Sequence, residues 1–434
     1  MSIEKAPQIK EEELLAAMLL PRSGRMEELV ERINASFDYW DTVKDKQCPD
    51  GCTATQLWTA VKATRRMHAI PVWEKYDMTL SLTNLMQRMC HDFDRIGGGK
   101  NREADFILDA TGKERYLISS LMEEAIYSSQ MEGAATTREV AKEMLRKKMT
   151  PKDNSQQMIH NNYQALQFIV AHKDEPLSEE LLLRVHLLMT ENTLLHPEEA
   201  GHFRTHNYVV EDNGITHETV HTPPSYEEIP PFVSDLCHFF NEKHSRLFIH
   251  PILRGIIIHF MIAYVHPFAD GNGRMARAMC YWYMLRQGYG LMEYLSISRV
   301  IAQSKRAYEK AFRYVETDEM DLGYFVVFHL NVLERSFQQL QAYIKRKQAE
   351  RNEASYFCRL GYINERQALI LKILEKEPGK ILTIKDLQAK FLISPTTAKT
   401  DINGLLHRGI LAEIAFNKVK KGYIRGENFE EVVK

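Results

Sequence analysis

The sequence predicts a mainly α-helical protein with a small β-hairpin flap and a C-terminal winged helix-turn-helix domain. Apolar residues recur at three- and four-residue intervals through most of the chain, the period of an amphipathic helix. Asp212-Asn213-Gly214 separates two short runs of alternating character, a hairpin signal. The last seventy or so residues change rhythm, reading as helix, turn, helix and two short strands.

The chain has 434 residues, more than one hydrophobic core usually organises, so two or three domains are expected. In order, Glu11–Leu20, Met26–Phe37 and Gln56–Met67 read as helices of an N-terminal helical region, residues 1–105, whose GGGK at 97–100 marks a break. Tyr116–Gln130 opens the region 106–340. There Leu177–Asn192 reads as a helix, and Tyr208–Glu211 with Thr216–Thr222 as the hairpin, which Pro223-Pro224 ends because proline cannot donate to a strand ladder. Helices resume at Tyr226–Lys243 and His250–Tyr264, and Leu322–Arg351 runs into a helical linker, 341–363. In the final domain, 364–434, Leu382–Phe391 and Ser394–Arg408 are the helices, with Ser394-Pro395 as cap and first position. Ile410–Ile414 and Gly422–Ile424 are its strands.

Composition excludes several classes. Apolar residues make up 44% and charged residues 26%, ordinary for a globular protein, and a net charge of -2 provides no global field for nucleic acid or a membrane surface. The start lacks a cationic, apolar leader, and the longest apolar run, Ile256 to Val265, is too short to span a bilayer. Six dispersed cysteines are no disulfide framework, and Cys48 and Cys52 lack a second pair at finger spacing. A cytoplasmic location without membrane contact is the expectation.

The chemistry concentrates in residues 266–277, His-Pro-Phe-Ala-Asp-Gly-Asn-Gly-Arg-Met-Ala-Arg. Gly271-Asn272-Gly273 lets successive backbone N–H groups converge as an anion-binding nest, and a helix starting there turns its positive end to the same spot. Arg274 and Arg277, three apart, emerge on one helix face, where two guanidinium forks suit a polyphosphate. Asp270 is a hard oxygen ligand for Mg²⁺, and His266 can accept a proton near neutral pH. These parts suffice for nucleotidyl transfer to a hydroxyl.

At every defined position this stretch matches His-x-Phe-x-(Asp/Glu)-Gly-Asn-Gly-Arg-x-x-Arg, the signature of the Fic family, which it resembles. Gly201-His202-Phe203-Arg204 with Pro223-Pro224 resembles that family's hairpin segment. His250–Arg254 resembles its helix before the loop and Ser296–Tyr308 the helix after it, so the likeness runs from about Val170 to Leu340. The resemblance implies a Fic helical bundle and a protein adenylyltransferase that moves AMP from ATP to a Ser, Thr or Tyr hydroxyl of a target protein or of itself. It gives His266 the role of base and Asp270 that of Mg²⁺ holder. Gly271, Asn272, Gly273 and Arg274 would contact phosphates, Arg277 would hold the γ-phosphate, and residues 216–222 would align the target segment by strand pairing.

Ser128-Ser129-Gln130-Met131-Glu132-Gly133 fits the family's inhibitory pattern, (Ser/Thr)-x-x-x-Glu-(Gly/Asn), at the end of a predicted helix ahead of the core. The likeness implies that Glu132 pairs with Arg277, displacing the γ-phosphate, with Ser128 in support. Removal of AMP, or transfer of another phosphate-linked group, is the alternative on the same scaffold. The C-terminal domain resembles the winged helices of bacterial regulators. Its basic residues Lys399, His407, Arg408, Lys418, Lys420, Lys421 and Arg425 leave DNA contact, partner docking and homodimer contacts open, and with them a nucleotide-sensing DNA-binding regulator as the rival from another class. His202, His206, His217 and His221 include pairs at four-residue spacing, but in a hairpin that spacing does not share a helix face. Groove lining or surface placement is favoured over metal ligation.

Overall fold

The structure, a computed structural model, describes residues 3–19, 24–97, 110–207, 211–212, 219–241, 247–358, 361–391, 393–415 and 421–433. It is mainly α-helical, and the described strands form three two-stranded antiparallel sheets. The chain divides into two compact units. One comprises residues 1–101, 120–142 and 150–337, the other 102–119, 143–149 and 338–434. Among the described residues no helix is long and apolar enough to cross a membrane.

The larger unit begins with α1 (Glu11–Leu19), α2 (Gly24–Ser36), α3 (Trp40–Val43), α4 (Ala54–Met67) and α5 (Asn84–Gly97). A capping box closes the start of α4, where Thr53 accepts from the Gln56 N–H and Gln56 reciprocates. Between α4 and α5 the chain makes a hairpin that helical periodicity did not foretell, β1 (Ala69–Trp73) against β2 (Met78–Ser81). Packing explains it. Trp73 stacks on Phe232 with ring centroids 5.4 Å apart, and the Leu322 N–H donates to the Thr79 carbonyl. The N-terminal helices are also joined to the rest by buried charge. Arg65 donates to Asn34 Oδ1 at 2.8 Å and to the Tyr324 hydroxyl at 2.5 Å, while Lys62 meets Asp318 at 2.9 Å.

The chain continues through α6 (Ala110–Met131), α7 (Arg138–Lys147), α8 (Asn154–Ala171) and α9 (Glu179–Thr190). The flap hairpin follows, β3 (Glu211–Asp212) pairing with β4 (Thr219–His221). Its Asn213-Gly214 turn, and His217, lie outside the described residues, as do 98–100 of the expected break. Then come α10 (Ile229–Asn241), α11 (Pro251–Val265), α12 (Asn272–Arg286), α13 (Ile297–Gln303), α14 (Lys305–Thr317) and α15 (Gly323–Cys358). The centre is the pair α11 and α12. Ile256, Ile257, Ile258, Phe260, Met261 and Ile262 are all buried, so α11 is covered on every side, as a helix apolar all round must be.

In the second unit α16 (Glu365–Lys376), α17 (Ile384–Phe391) and α18 (Pro395–Leu406) precede β5 (Leu411–Ala415) and β6 (Lys421–Arg425), with α19 (Phe429–Val433) last. Leu371, Leu387, Phe391, Ile402 and Leu405 form its core. Ser394 caps α18 by accepting from the Thr397 N–H, with Pro395 at the first position. Lys418 and Lys420 lie outside the described residues.

Candidate active site

Residues 266–277 form the hinge between the two central helices. α11 stops because His266 adopts a left-handed conformation, φ 47° and ψ 63°, while its N–H still donates to the Ile262 carbonyl. A left-handed non-glycine residue costs on the order of 1 kcal/mol or more and persists only where surroundings enforce it. Enforcement is visible here: the Arg204 guanidinium donates to the His266 carbonyl at 2.7 Å and to the Val265 carbonyl at 3.2 Å. The Asn272 side chain closes the loop, accepting from the Phe268 N–H at 3.0 Å and donating to the Phe268 carbonyl at 2.8 Å. The side-chain amide of Asn272 is thus spent on bracing, which leaves its backbone N–H, at the first position of α12, as its part of the expected nest.

Gly271 is the N-cap of α12 at φ 85°, and a Cβ there would approach Thr190 Cγ2 to 3.1 Å. His186 underpins this turn. Its Nδ1 accepts from the Gly201 N–H at 3.0 Å, so the proton is on Nε2, which donates to the Asp270 carbonyl at 2.9 Å. The ring stacks on Phe268, and burial pushes its pKa down to about 4, keeping it neutral. Asp270 stays accessible, its side chain 58% exposed; Oδ1 accepts from the Gly271 N–H at 2.6 Å and Oδ2 lies 3.6 Å from Arg274.

Both motif arginines are buried on α12. Arg274 is 0% exposed, donates from Nη1 to the Met189 carbonyl at 3.0 Å, and has no hydrogen-bond partner for Nε or Nη2 among the described residues. Arg277 is held from across the site: Nε donates to Ser128 Oγ at 2.8 Å, and Nη2 to the Ser128 carbonyl and to Glu132 Oε1, each at 2.9 Å. Helix α6 delivers that carboxylate. Gly133, at φ 97°, lets the chain close the helix with Gly133 N–H on the Gln130 carbonyl and Ala134 N–H on the Ser129 carbonyl. This paired ending stops α6 abruptly and leaves Glu132 at its tip. The carboxylate rests on the first turn of α12, where a Cβ on Gly273 would come within 2.2 Å of Glu132 Oε1. Two buried guanidiniums, a helix N-terminus and a built-in anion therefore share one place.

Behind Arg277 lies a cavity of about 10 Å³ lined by Glu124, His259, Tyr281 and His329 among others. Burial lowers the pKa of both histidines, that of His329 to about 4, so neither adds a second cation beside Arg277. Glu124 is buried too. It accepts from the Ser298 N–H at 2.9 Å and Ser296 Oγ at 3.1 Å, and burial raises its pKa.

The structure thus gathers Ser128, Glu132, Gly273 and Arg277, and likewise Asp270, Gly271 and Arg274, with His266 at the head of the same loop. Sequence reasoning missed His186, Glu124 and the bracing use of Arg204, whose partners lie far off in the chain. Of the remaining histidines, His202 Nδ1 lies 3.1 Å from the Ala200 carbonyl and His206 lies 3.6 Å from Glu199. Among the described residues no group of three metal-ligating side chains converges.

The Fic/DOC family matches residues 176–284. A protein adenylyltransferase Fic from Nematostella vectensis is 25% identical over 183 residues, covering 41% of this chain and 40% of its own. Protein adenylyltransferase fic-1 from Caenorhabditis elegans is 33% identical over 121 residues, 28% of this chain and 22% of its own. The chain therefore spans less than half the length of these relatives. Among solved structures, a Fic family protein from Desulfovibrio desulfuricans superposes with a TM-score of 0.53 at 18% identity, over 80% of this chain and 97% of that one. A fragment of Fic-1 from C. elegans gives 0.50 at 19%, over 77% and 92%. At these identities the likeness is one of fold.

Proposed function

We infer, from the premise that residues 176–284 of this chain belong to the Fic family, that it transfers AMP from ATP to a Ser, Thr or Tyr hydroxyl of a target protein and holds itself in check through Glu132. The observation that carries the reading is the carboxylate parked on an anion site: Glu132 pairs with Arg277 over the N-terminal turn of α12. A triphosphate offers the same charge to the same donors.

His266 takes the proton of the acceptor hydroxyl, whose oxygen bonds to the α-phosphorus as the bond to the bridging oxygen breaks and pyrophosphate leaves. The Gly271–Gly273 backbone and Arg274 bind phosphate oxygens, and Arg277 holds the γ-phosphate once Glu132 has swung aside. Asp270 fits a divalent cation, because its half-exposed carboxylate keeps lone pairs facing solvent. It would hold Mg²⁺, which supplies neutralisation of phosphate charge. Residues 216–222 align the target segment. Side-chain readout is weak in that mode, so the target's identity lies beyond these residues.

The test is labelling of lysate proteins by the Glu132→Gly chain with α-labelled and with γ-labelled ATP. AMP transfer leaves the α-label alone on protein; label from γ-ATP, or none from α-ATP, rejects the reading.

A further inference from the structure

Two ties of the flap to the core stand out among the described residues, one permanent and one that can titrate. The permanent one is Arg204, which donates to the Pro224 carbonyl at 2.6 Å as well as to the Val265 and His266 carbonyls. A guanidinium stays charged throughout the physiological range. The other tie is His221, the last residue of β4, whose side chain is 1% exposed. Its Nε2 lies 2.7 Å from the Tyr264 carbonyl, and its Nδ1 lies 2.5 Å from Glu316 Oε1.

Both partners are oxygen acceptors, a carbonyl and a carboxylate, so each ring nitrogen has to bring the proton. An imidazole with protons on both nitrogens is a cation, and Glu316, reaching in from α14, is its counter-charge. The other rings around it are Tyr264 and Phe312, with centroids 5.3 and 5.5 Å away, and His266 at 5.6 Å. When the ring loses one proton, one of its two nitrogens presents a lone pair to an oxygen lone pair. An attraction becomes a repulsion within the buried site.

We propose that His221 is a positioning residue of the transfer reaction: its doubly protonated ring pins β4 beside His266, and deprotonation releases the strand. The proposal rests on the reading of the flap as the aligner of the target segment. Its chemical consequence is a limb on the alkaline side of the activity profile. That limb is opposite in sign to the one a general base produces, since a base works better as it loses its proton.

Histidine-selective ¹⁵N NMR of the full-length wild-type chain reads the ring directly. Both nitrogens of His221 carry protons at neutral pH, and hydrogen exchange at the His221 amide accelerates as the ring deprotonates. A singly protonated ring at neutral pH overturns the proposal. Labelling of lysate proteins by the Glu132→Gly chain then falls at least threefold over the same pH interval. Adding Glu316→Gln flattens that fall while keeping most activity at the acid end, because a rotatable amide accepts from a protonated nitrogen or donates to a bare one. An unchanged alkaline limb in Glu316→Gln also overturns the proposal. If the Glu132→Gly chain labels nothing at any pH, the proposed function fails, while the NMR and exchange results still decide the state of His221.

Discussion

Around the first turn of α12 basic side chains are left incompletely matched: among the described residues Arg274 keeps two nitrogens without a hydrogen-bond partner, and Arg277 leans on a carboxylate at a helix tip. In the C-terminal unit several basic residues are spent locally. Arg425 donates to the Leu374 and Glu375 carbonyls at the end of α16 and pairs with Glu430; Lys421 pairs with Glu413; Arg408 donates to the Gly404 carbonyl. Burying a charge without full pairing is costly, so such a group marks a place kept for something else, whereas saturated charge marks architecture. Counting Lys and Arg in a sequence cannot separate the two.

The largest effect expected of this contrast is at His266. His266→Ala should cut α-label transfer by about 100-fold or more, the usual contribution of a positioned base. Persistent labelling would move the chemistry away from the incompletely matched region. Next comes His186. Because its folded pKa is lowered to about 4 from 6.5, the unfolded chain takes up a proton between those values that the folded chain refuses. Stability from this residue is complete above about pH 6.5 and falls by up to about 3 kcal/mol toward pH 4. Denaturant titrations across that window should show a shallower acid slope in His186→Gln; equal slopes would mean the ring does not sense the loop.

Glu132→Gly should raise transfer roughly tenfold or more, which corresponds to about 1.4 kcal/mol of barrier. Equal or lower activity would discard the brake. Arg425→Ala should lower the stability of the C-terminal unit by about 1–2 kcal/mol through lost bonds to helix-end carbonyls, with labelling unchanged. Smallest of all, Lys399→Ala should alter neither stability nor activity. A salt-sensitive gel shift of the full chain on duplex DNA, lost in Lys399→Ala, would instead make the C-terminal surface a nucleic-acid contact and break the contrast.

How much of this was legible depended on distance along the chain. The loop His266–Arg277 could be read because its glycines, its aspartate and both arginines lie within one short stretch around a single helix start. Glu132 could be read because Gly133 marks the helix end that presents it. His186, 84 residues from the Asp270 carbonyl it supports, looked like one more residue of an amphipathic helix. The use of Arg204 depends on carbonyls, which have no sequence signature. The same holds for the bracing side chain of Asn272, whose partner is the Phe268 backbone. The β1–β2 hairpin was missed because Trp73 is held there by Phe232, a partner from another part of the fold.

The Arg65–Asn34–Tyr324 and Lys62–Asp318 links set a lower bound on what can be cut away. A fragment trimmed to the family-matched segment 176–284 would discard every member of both links, and α14 and α15 with them. One trimmed only of its first hundred residues would leave Asp318 without the Lys62 ammonium and Tyr324 without the Arg65 guanidinium. The opening hundred residues are thus packed into the larger unit, and a fragment that keeps both links begins no later than α2.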